Sequence, residues 1–371
     1  MENLKKISAI LILLTIVLAL SGANAVHGLG VTAIITVGNR PGGVAYDSGE
    51  GEIFVTNNGG NTVSVISDTN NSVVATIPVG NYPSGVAYDF AKGEIFIANS
   101  GSNTISVISD NTNTIVATIS VGTVPDRVAY DSAKAEIFVT NLGSNTVSVI
   151  SVSNNTVIAT IPVGILPGGI AYDSGKNEIF ETNGPPNNTV SVISDTNYTV
   201  IANIPVGSYP IGVCYDSAKG EVFVINNEHG TVSVVSDVSN TVVATVKVGS
   251  SPFDVAYDSS KGDVFVTNEN ANTTSVISDN NNTVIATISV GTAPGGVAYD
   301  FGKGEIFVTT GGSNTVSVIS NSSSPSVSPL PTATIPEFQA RTIPFLIIVM
   351  AATGLLIYFK KHKPNLNSSN S

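Results

Sequence analysis

Residues 44–57 read VAYDSGEGEIFVTN, and close copies of this stretch recur along the chain. The opening tetrapeptide returns in steps of 42, 42, 42, 43, 42 and 42 residues, starting at Val44, Val86, Val128, Ile170, Val213, Val255 and Val297. A fixed period near 42 residues is typical of stacked supersecondary units. The body of the chain is therefore one structural unit written seven times.

Each unit contains four short runs with the composition of β-strands. In the second unit they cover 85–89, 94–99, 104–109 and 114–121. These runs are rich in Val, Ile, Thr and Phe, alternate apolar with small polar residues, and end at turn-forming residues. Four strands in about 42 residues predict one blade of a β-propeller.

The two ends of the repeat region complement each other. Residues 32–38 (TAIITVG) match the fourth strand of other units, such as 74–80 (VATIPVG), whereas the seventh unit stops after its third strand at 314–320. If the first strand completes the last blade, seven four-stranded blades form a closed ring without an unpaired edge between them. An open solenoid would need terminal caps instead. The predicted fold is an all-β, seven-bladed propeller closed by its N-terminal strand.

The second strands carry a resemblance to a known family. Phe54-Val55-Thr56-Asn57, repeated at 138–141 and 265–268, resembles the YVTN family of β-propeller repeats. The resemblance implies a seven-bladed propeller on an archaeal cell surface, as in surface-layer proteins. Some related propellers are quinoproteins or lactone-cleaving enzymes, so the fold alone does not imply a function. The units depart from the motif at Ile97-Ala98, Glu181, Ile225 and Thr310.

The first 25 residues predict a secretory signal peptide. Lys5 and Lys6 precede an apolar run over 7–20, and Ala23-Asn24-Ala25 then supplies the small residues that a signal peptidase needs. An uncleaved N-terminal anchor is the alternative interpretation.

A second apolar run, over 343–359, predicts a transmembrane helix. At ~1.5 Å per residue it spans about 26 Å, near the lower limit for a bilayer core. Lys360, Lys361 and Lys363 follow it, and positive charge resists translocation. We therefore expect a type I protein, with a basic cytoplasmic tail at 360–371 and the propeller (26–320) at the extracellular face of the membrane.

The segment 321–342 is rich in Ser and Pro and predicts a semi-stiff stalk. Within it, Pro336-Glu337-Phe338, followed by the apolar run and the basic cluster, resembles the PEF-type C-terminal sorting signal of archaeal exported proteins. That resemblance implies cleavage by an archaeosortase and transfer to an anchor. Two departures are the four residues between tripeptide and run, and the extension over 364–371. Surface attachment is expected with or without this processing.

Composition excludes several classes of function. Six of the 15 Lys and Arg residues but only two of the 27 Asp and Glu residues lie in the terminal segments, so the ring keeps nine basic against 25 acidic side chains. Such a ring repels phosphate backbones, which argues against nucleic-acid binding and favours attraction of cations. One Cys excludes a disulfide framework, and three scattered His residues argue against a His-ligated metal site.

Ligand-binding candidates come from comparing the units with one another. The loops before the innermost strands and between the second and third strands share one face of a propeller, and loops often carry function. Arg127 and Asp254 stand where other units have Gly, and such breaks in regularity are the places to look for selection by a partner. Neutral drift in exposed loops is the alternative interpretation. The further candidates in these loops are Arg40, Tyr82, Asp126, Tyr209, Glu228, His229, Phe253 and Glu269.

The sequence contains no nucleophile elbow, P-loop, HExxH motif or EF-hand loop, so no catalytic residue, cofactor or metal ligand is assigned. A Ca²⁺ site made of Asp, Asn and carbonyl oxygens stays open. Glu181 replaces an apolar residue of other units, and we expect it to need a partner or to have a raised pKa.

Seven Asn residues on the expected extracellular side of the membrane lie in N-x-S/T sequons, the acceptor pattern for N-glycosylation. The first, second, fourth and sixth of them fall in turns between third and fourth strands, on the face opposite the ligand-binding candidates. The seven are Asn70, Asn154, Asn187, Asn197, Asn272, Asn281 and Asn321.

Three functional hypotheses follow. The first is a non-enzymatic envelope or adhesion module that binds a cell-surface protein or glycan. The second is an extracellular propeller enzyme, lactonase-like or redox, with carboxylates and a metal at the channel mouth. The third is a structural tile of a surface lattice. Convergence of Arg127, Asp254, Glu228 and Glu269 would favour the enzyme, and their separation would disfavour it.

Overall fold

The repeats fold as predicted because β-branched residues alternate with small polar ones along each run. The computed structural model describes residues 28–321, in which 28 strands form seven four-stranded antiparallel sheets. Each sheet is one blade, and we number the blades 1 to 7 from the sheet that contains Val44. Every described element is a strand, turn or bend, which confirms the all-β prediction for this part of the chain.

The strand bounds follow the repeat. The innermost strands are β2 (Pro41–Asp47), β6 (Pro83–Asp89), β10 (Pro125–Asp131), β14 (Pro167–Asp173), β18 (Pro210–Asp216), β22 (Pro252–Asp258) and β26 (Pro294–Asp300). The second strands are β3 (Glu52–Asn57), β7 (Glu94–Asn99), β11 (Glu136–Asn141), β15 (Glu178–Asn183), β19 (Glu221–Asn226), β23 (Asp263–Asn268) and β27 (Glu305–Thr310). The third strands are β4 (Thr62–Ser67), β8 (Thr104–Ser109), β12 (Thr146–Ser151), β16 (Thr189–Ser194), β20 (Thr231–Ser236), β24 (Thr273–Ser278) and β28 (Thr315–Asn321). The outermost strands are β5 (Ser72–Pro78), β9 (Thr114–Ser120), β13 (Thr156–Pro162), β17 (Thr199–Pro205), β21 (Thr241–Lys247), β25 (Thr283–Ser289) and β1 (Leu29–Thr36).

The ring closes between the two ends of the repeat region. Strand β1 pairs antiparallel with β28, with Ile35 opposite Val316, in a sheet of order β1-β28-β27-β26. This confirms the predicted closure, although β1 covers 29–36 rather than 32–38. The chain leaves the sheet before Gly38, where a Cβ atom would lie 2.4 Å from Cγ of Asn57 in blade 1.

The core lies between neighbouring blades. In one of seven similar clusters, Phe54 and Val65 of blade 1 pack against Ile95 and Ile97 of blade 2. The Phe in the second strand of each blade is fully buried. Burial of such a side chain stabilises the folded state by about 1.5–3 kcal/mol. Because each cluster joins two blades, a blade completes its core only when its neighbours are in place.

The polar residues of the second strand hold the blades together. Thr56 Oγ1 accepts a hydrogen bond from the N–H of Gly43 (2.8 Å) and donates to the carbonyl of Ser84 in the next blade (2.7 Å). In blade 2 the threonine is replaced by Ala98, and there the Ser84 hydroxyl donates to the carbonyl of Asp126 instead (2.9 Å). The linkage to the next blade therefore survives the departure from the motif.

The aspartate that ends each innermost strand caps the following turn. Asp47 Oδ1 accepts the N–H of Gly49 (2.7 Å) and of Glu50 (3.3 Å), and the aspartate of each other blade accepts the corresponding first N–H. The tyrosine before it contacts the aspartate of the preceding blade, as Tyr46 does with Asp300. The tyrosines therefore lie at the junctions between neighbouring blades, each beside the aspartate of the preceding blade.

The antiparallel order defines two faces. The mouth face carries the loops that lead into the innermost strands and those that join second to third strands. The turn face carries the turns after the innermost strands and those between third and fourth strands. Strand β28 ends at Asn321, the first residue of the predicted stalk. The predicted signal peptide, the remaining stalk, the membrane span and the tail lie outside the described residues. Between residues 28 and 321, no helix is long and apolar enough to cross a membrane.

Candidate functional site

Two side chains project into the centre of the ring. At the position before the Val or Ile of the repeat, five blades have Gly, because the innermost strands approach one another closely. A Cβ atom on Gly43 would lie 2.3 Å from the carbonyl oxygen of Ser84. Blades 3 and 6 have Arg127 and Asp254 at this position.

Arg127 and Asp254 form an ion pair across the ring axis. Nη1 of Arg127 lies 3.5 Å from Oδ2 of Asp254, and the two side chains are 17% and 19% exposed. The neighbouring Asp126 lies 3.9 Å from Nε of Arg127. The Arg127 guanidinium carbon also lies 5.3 Å from the centre of the Phe253 ring, a cation–π distance.

Backbone contacts hold both residues in place. The N–H of Arg127 donates to Thr140 Oγ1 (2.9 Å), and the N–H of Asp254 donates to Thr267 Oγ1 (3.0 Å). Asp254 Oδ2 also accepts the N–H of Val297 in blade 7 (3.3 Å). The register of each innermost strand shifts between its Pro and its Val, so these residues leave the regular ladder.

Burial and charge oppose each other in this pair. Burial disfavours the charged guanidinium, but the charges of Asp254 and Asp126 outweigh it and raise the pKa of Arg127. Burial raises the pKa of the Asp254 carboxyl, and the Arg127 charge opposes that rise. The pair therefore holds a stable positive charge beside a carboxyl that protonates more readily than an exposed one.

Three cavities meet around these residues. The axial cavity, about 120 Å³, is lined by the innermost strands of all seven blades and contains both Arg127 and Asp254. The mouth cavity, about 600 Å³, is lined among others by Arg40, Asn58, Asp126, Arg127, Phe253 and Glu269. A side cavity of about 250 Å³ shares Asp126, Arg127, Phe253 and Glu269 and adds Tyr209.

The structure thus brings together seven of the ten predicted binding residues: Arg40, Asp126, Arg127, Tyr209, Phe253, Asp254 and Glu269. Tyr82 lies on the same face but outside the three cavities, and this residue is 57% exposed. Glu228 and His229 contact their own blade at Ser208: its hydroxyl donates to Glu228 Oε2 (2.5 Å) and its N–H to His229 Nδ1 (3.2 Å). These last two residues line none of the three cavities.

Asn58 and Ser84 were not selected from the sequence, yet both line the mouth cavity. Ser84 carried a signal, since it replaces Gly at the position that Asp126 and Phe253 occupy in their blades. Asn58 carried none, because Asn is common in the loops of every unit.

The convergence test gives a divided result. Arg127 and Glu269 line the mouth cavity and Asp254 lines the adjoining axial cavity, whereas Glu228 lines none of the three cavities. Among residues 28–321, no group of three or more His, Cys, Asp or Glu side chains is placed to hold a metal ion. A Ca²⁺ site made of Asp, Asn and carbonyl oxygens stays a hypothesis from the sequence.

Glu181 is fully buried in the second strand of blade 4, where it lies opposite Ser191. Its two carboxyl oxygens have no hydrogen-bond partner. The adjacent Ser191 hydroxyl instead donates to Asn203 Oδ1 (3.1 Å). Burial raises the pKa of Glu181 well above its usual range, which Ser191 and Asn183 only partly oppose.

Comparison with known proteins supports the fold. The chain is similar to 1646 chains of solved structures, and one of them is hydrazine synthase from Kuenenia stuttgartiensis. That match has a TM-score of 0.69 and 15% sequence identity over 76% of this chain and 95% of that one. At this identity the likeness shows the fold alone. No family model and no curated protein match the chain.

Proposed function

We propose that the protein is a cell-surface-anchored propeller that acts as a non-enzymatic binding module of the envelope, for a protein or a glycan. We also propose that it is a YVTN-type propeller of archaeal origin, exported by its first 25 residues and held by its C-terminal segment. The observation that carries the binding role is the gathering of the irregular side chains of blades 3 and 6 at one mouth cavity.

The mouth cavity has the size and chemistry of a ligand site. Ligand pockets usually measure about 300–1,000 Å³ and combine apolar surface with a few polar groups, and this one measures about 600 Å³. Phe253 offers an aromatic ring for stacking against a sugar or a side chain. Asp126 and Glu269 offer acceptors for hydroxyl or amide donors, and Asn58 adds an amide.

The ion pair supports binding rather than passage through the ring. Arg127 and Asp254 contact each other inside the axial cavity, so the wide mouth narrows to a charged, nearly filled floor. A ligand that enters from the mouth face would rest on this floor and be gripped by the loops around it.

The test is capture of partners from extracts of the producing cells. A secreted form of the chain that ends at residue 321 is immobilised, and the captured proteins and glycans are compared with those taken by Arg127→Gly, Asp254→Gly and Phe253→Ala. Val238→Ser is the matched control, because Val238 is 81% exposed in a turn of blade 5 on the opposite face.

We expect the three mouth variants to lose at least tenfold in captured partner and the Val238→Ser variant to lose none. Thermal unfolding of each variant separates lost binding from lost folding, and Phe253→Ala keeps the ion pair intact. Equal capture by all four variants would place the binding surface elsewhere.

An extracellular enzyme is the second candidate, favoured by one observation. A carboxyl with a raised pKa, Asp254, lies beside Arg127 in the axial cavity, and perturbed groups tend to cluster at active sites. The test is hydrolysis of a panel of lactones and esters by the same secreted form, with and without Ca²⁺. Turnover abolished by Asp254→Asn would support this candidate, and absence of turnover in every condition would count against it.

A further inference from the structure

The turns between third and fourth strands share one geometry. In blades 1, 3, 4 and 6 these turns contain a complete N-x-S/T sequon, and the sequon asparagines are all exposed: Asn70, Asn154, Asn197 and Asn281. The residue after each asparagine adopts a left-handed conformation, with φ of 54°, 56°, 56° and 54° at Asn71, Asn155, Tyr198 and Asn282. The four acceptor sites are therefore structural copies of one another.

In each copy the amide oxygen is occupied and the amide nitrogen is free. The hydroxyl of the third sequon residue donates to Oδ1 of the asparagine, at 2.7 Å in blade 1, 2.8 Å in blade 3, and 2.7 Å in blades 4 and 6. Nδ2 of these four asparagines makes no hydrogen bond within residues 28–321. Nδ2 is the atom to which a glycan is attached, so attachment would break no contact of the fold.

Two other sequons have a different environment. Asn187 Oδ1 accepts the N–H of Ile165 and Asn272 Oδ1 accepts the N–H of Ala293, each at 2.9 Å. Each bond ties a loop between second and third strands to a loop that enters an innermost strand, on the mouth face: that of the same blade for Asn187 and that of the next blade for Asn272. Asn187 also lines a groove with Pro162 and Gly164. A sugar on either amide would crowd these paired loops.

Lysines from the preceding blade hold the four turns in place. In the turn of blade 1, the carbonyl of Asp68 accepts a hydrogen bond from Lys303. In blades 4 and 6, the carbonyls of Asp195 and Asp279 accept hydrogen bonds from Lys134 and Lys219, respectively. In the turn of blade 3, the carbonyl of Val152 accepts a hydrogen bond from Lys92 (2.9 Å). The acceptor asparagines thus project from anchored turns at the rim of the turn face.

We infer that Asn70, Asn154, Asn197 and Asn281 carry N-linked glycans in the exported protein, and that Asn187 and Asn272 do not. In this step Nδ2 of the asparagine attacks the anomeric carbon of a lipid-linked oligosaccharide. The N–C bond forms, the bond from that carbon to the lipid phosphate breaks, the phosphorylated lipid leaves, and the amide gives up one proton. The inference rests on the export proposed above.

The glycans would cover the turn face and leave the mouth face bare. Four bulky hydrophilic chains at the rim of one face would restrict protein contacts there, while the mouth cavity stays open. The molecule would then present a single face to its partners.

The experiment is glycopeptide mass spectrometry on the full chain. The protein is produced behind its own signal and, separately, behind a borrowed signal, in a host that N-glycosylates exported proteins and also secretes a glycosylated reporter. We expect glycan masses on the four turn peptides and unmodified masses at Asn187 and Asn272. If only the borrowed signal yields this pattern, the glycan sites stand and the proposed export fails.

A gain-of-site variant provides the sharpest control. The turn of blade 5 has Ser239 at the acceptor position, with its hydroxyl 2.7 Å from that of Thr241, and Asn240 in the same left-handed conformation (φ 51°). Ser239→Asn completes a sequon there and should add one glycan, whereas Ser239→Gln should add none. Asn154→Gln should remove one. Bare turn sites beside a glycosylated reporter, or equal occupancy of Asn187 and Asn272, would overturn the inference.

Discussion

Arg127 and Asp254, which lie 127 residues apart in the chain, contact each other across the axis of the propeller at 3.5 Å. They replace glycine in two nearly opposite blades, and their charges meet where the other five blades contribute only backbone. The pair sets the floor of the mouth cavity and joins two sheets that share no strand.

Removal of both partners should cost less stability than the sum of the two single removals. Arg127→Gly leaves the Asp254 carboxylate unpaired in a largely buried site, and we expect a loss of about 2–4 kcal/mol in the free energy of unfolding. The double variant restores the glycines of the other blades and should lose less than the sum of the two single variants. Urea unfolding of the four proteins measures the coupling. Strict additivity would show that the pair contributes nothing.

Glu181→Val should stabilise the protein. Five other blades have Val at this position, and the substitution removes a buried carboxyl without a hydrogen-bond partner. Buried unpaired polar groups cost about 1–3 kcal/mol in mutational data, so a gain of this size is expected. A lower free energy of unfolding for Glu181→Val at pH 7 would contradict it.

The stability gained by Glu181→Val should grow as the pH rises. The folded pKa of Glu181 lies well above the usual value, so between the unfolded and folded pKa values the native state holds a proton that the unfolded chain has lost. Stability from this group is therefore present at low pH and falls as pH rises through that window. Denaturant unfolding from pH 4 to 8 should show this slope in the wild type but not in Glu181→Gln.

A disulfide across the closure should stabilise the ring. The Thr32 and Ser320 hydroxyls lie 3.1 Å apart on β1 and β28, so Thr32→Cys with Ser320→Cys closes a very long loop. We expect the disulfide to raise the free energy of unfolding by about 2–5 kcal/mol. The protein with the two new cysteines also carries Cys214→Ala, because the other blades have Ala at the position of Cys214. Reduction of the disulfide should lower the midpoint of thermal unfolding again. If the disulfide does not change the midpoint, separation of β1 from β28 does not limit the stability of the ring.

Alkaline pH should loosen the ring of tyrosines. Burial, then hydrogen bonding and charge from neighbouring aspartates, raise the pKa of Tyr46 to about 12, and the pKa of Tyr88 is raised further. An unfolded tyrosine titrates near ~10, so the unfolded chain loses these protons first and stability falls between pH 10 and 12. Tyr46→Phe removes one such group and should flatten the loss. Equal unfolding free energies at pH 9 and 11 would contradict this.

The sequence by itself determined the architecture. The 42-residue period, four β-type runs in each unit and complementary ends predicted seven closed blades, because each of these features is local and repeats. The capping role of Asp47 was likewise readable, since an aspartate before a turn bonds to nearby N–H groups whatever surrounds it.

Only the tertiary structure decided which irregular residues meet. Arg127 and Asp254 were placed at equivalent positions by the repeat, but their contact depends on how narrow the axis becomes when seven strands pack backbone to backbone. Glu228 and Glu269 looked alike in sequence, yet one bonds to Ser208 of its own blade and the other lines the mouth. Contacts between distant blades depend on the geometry of the whole ring, and no local pattern encodes that.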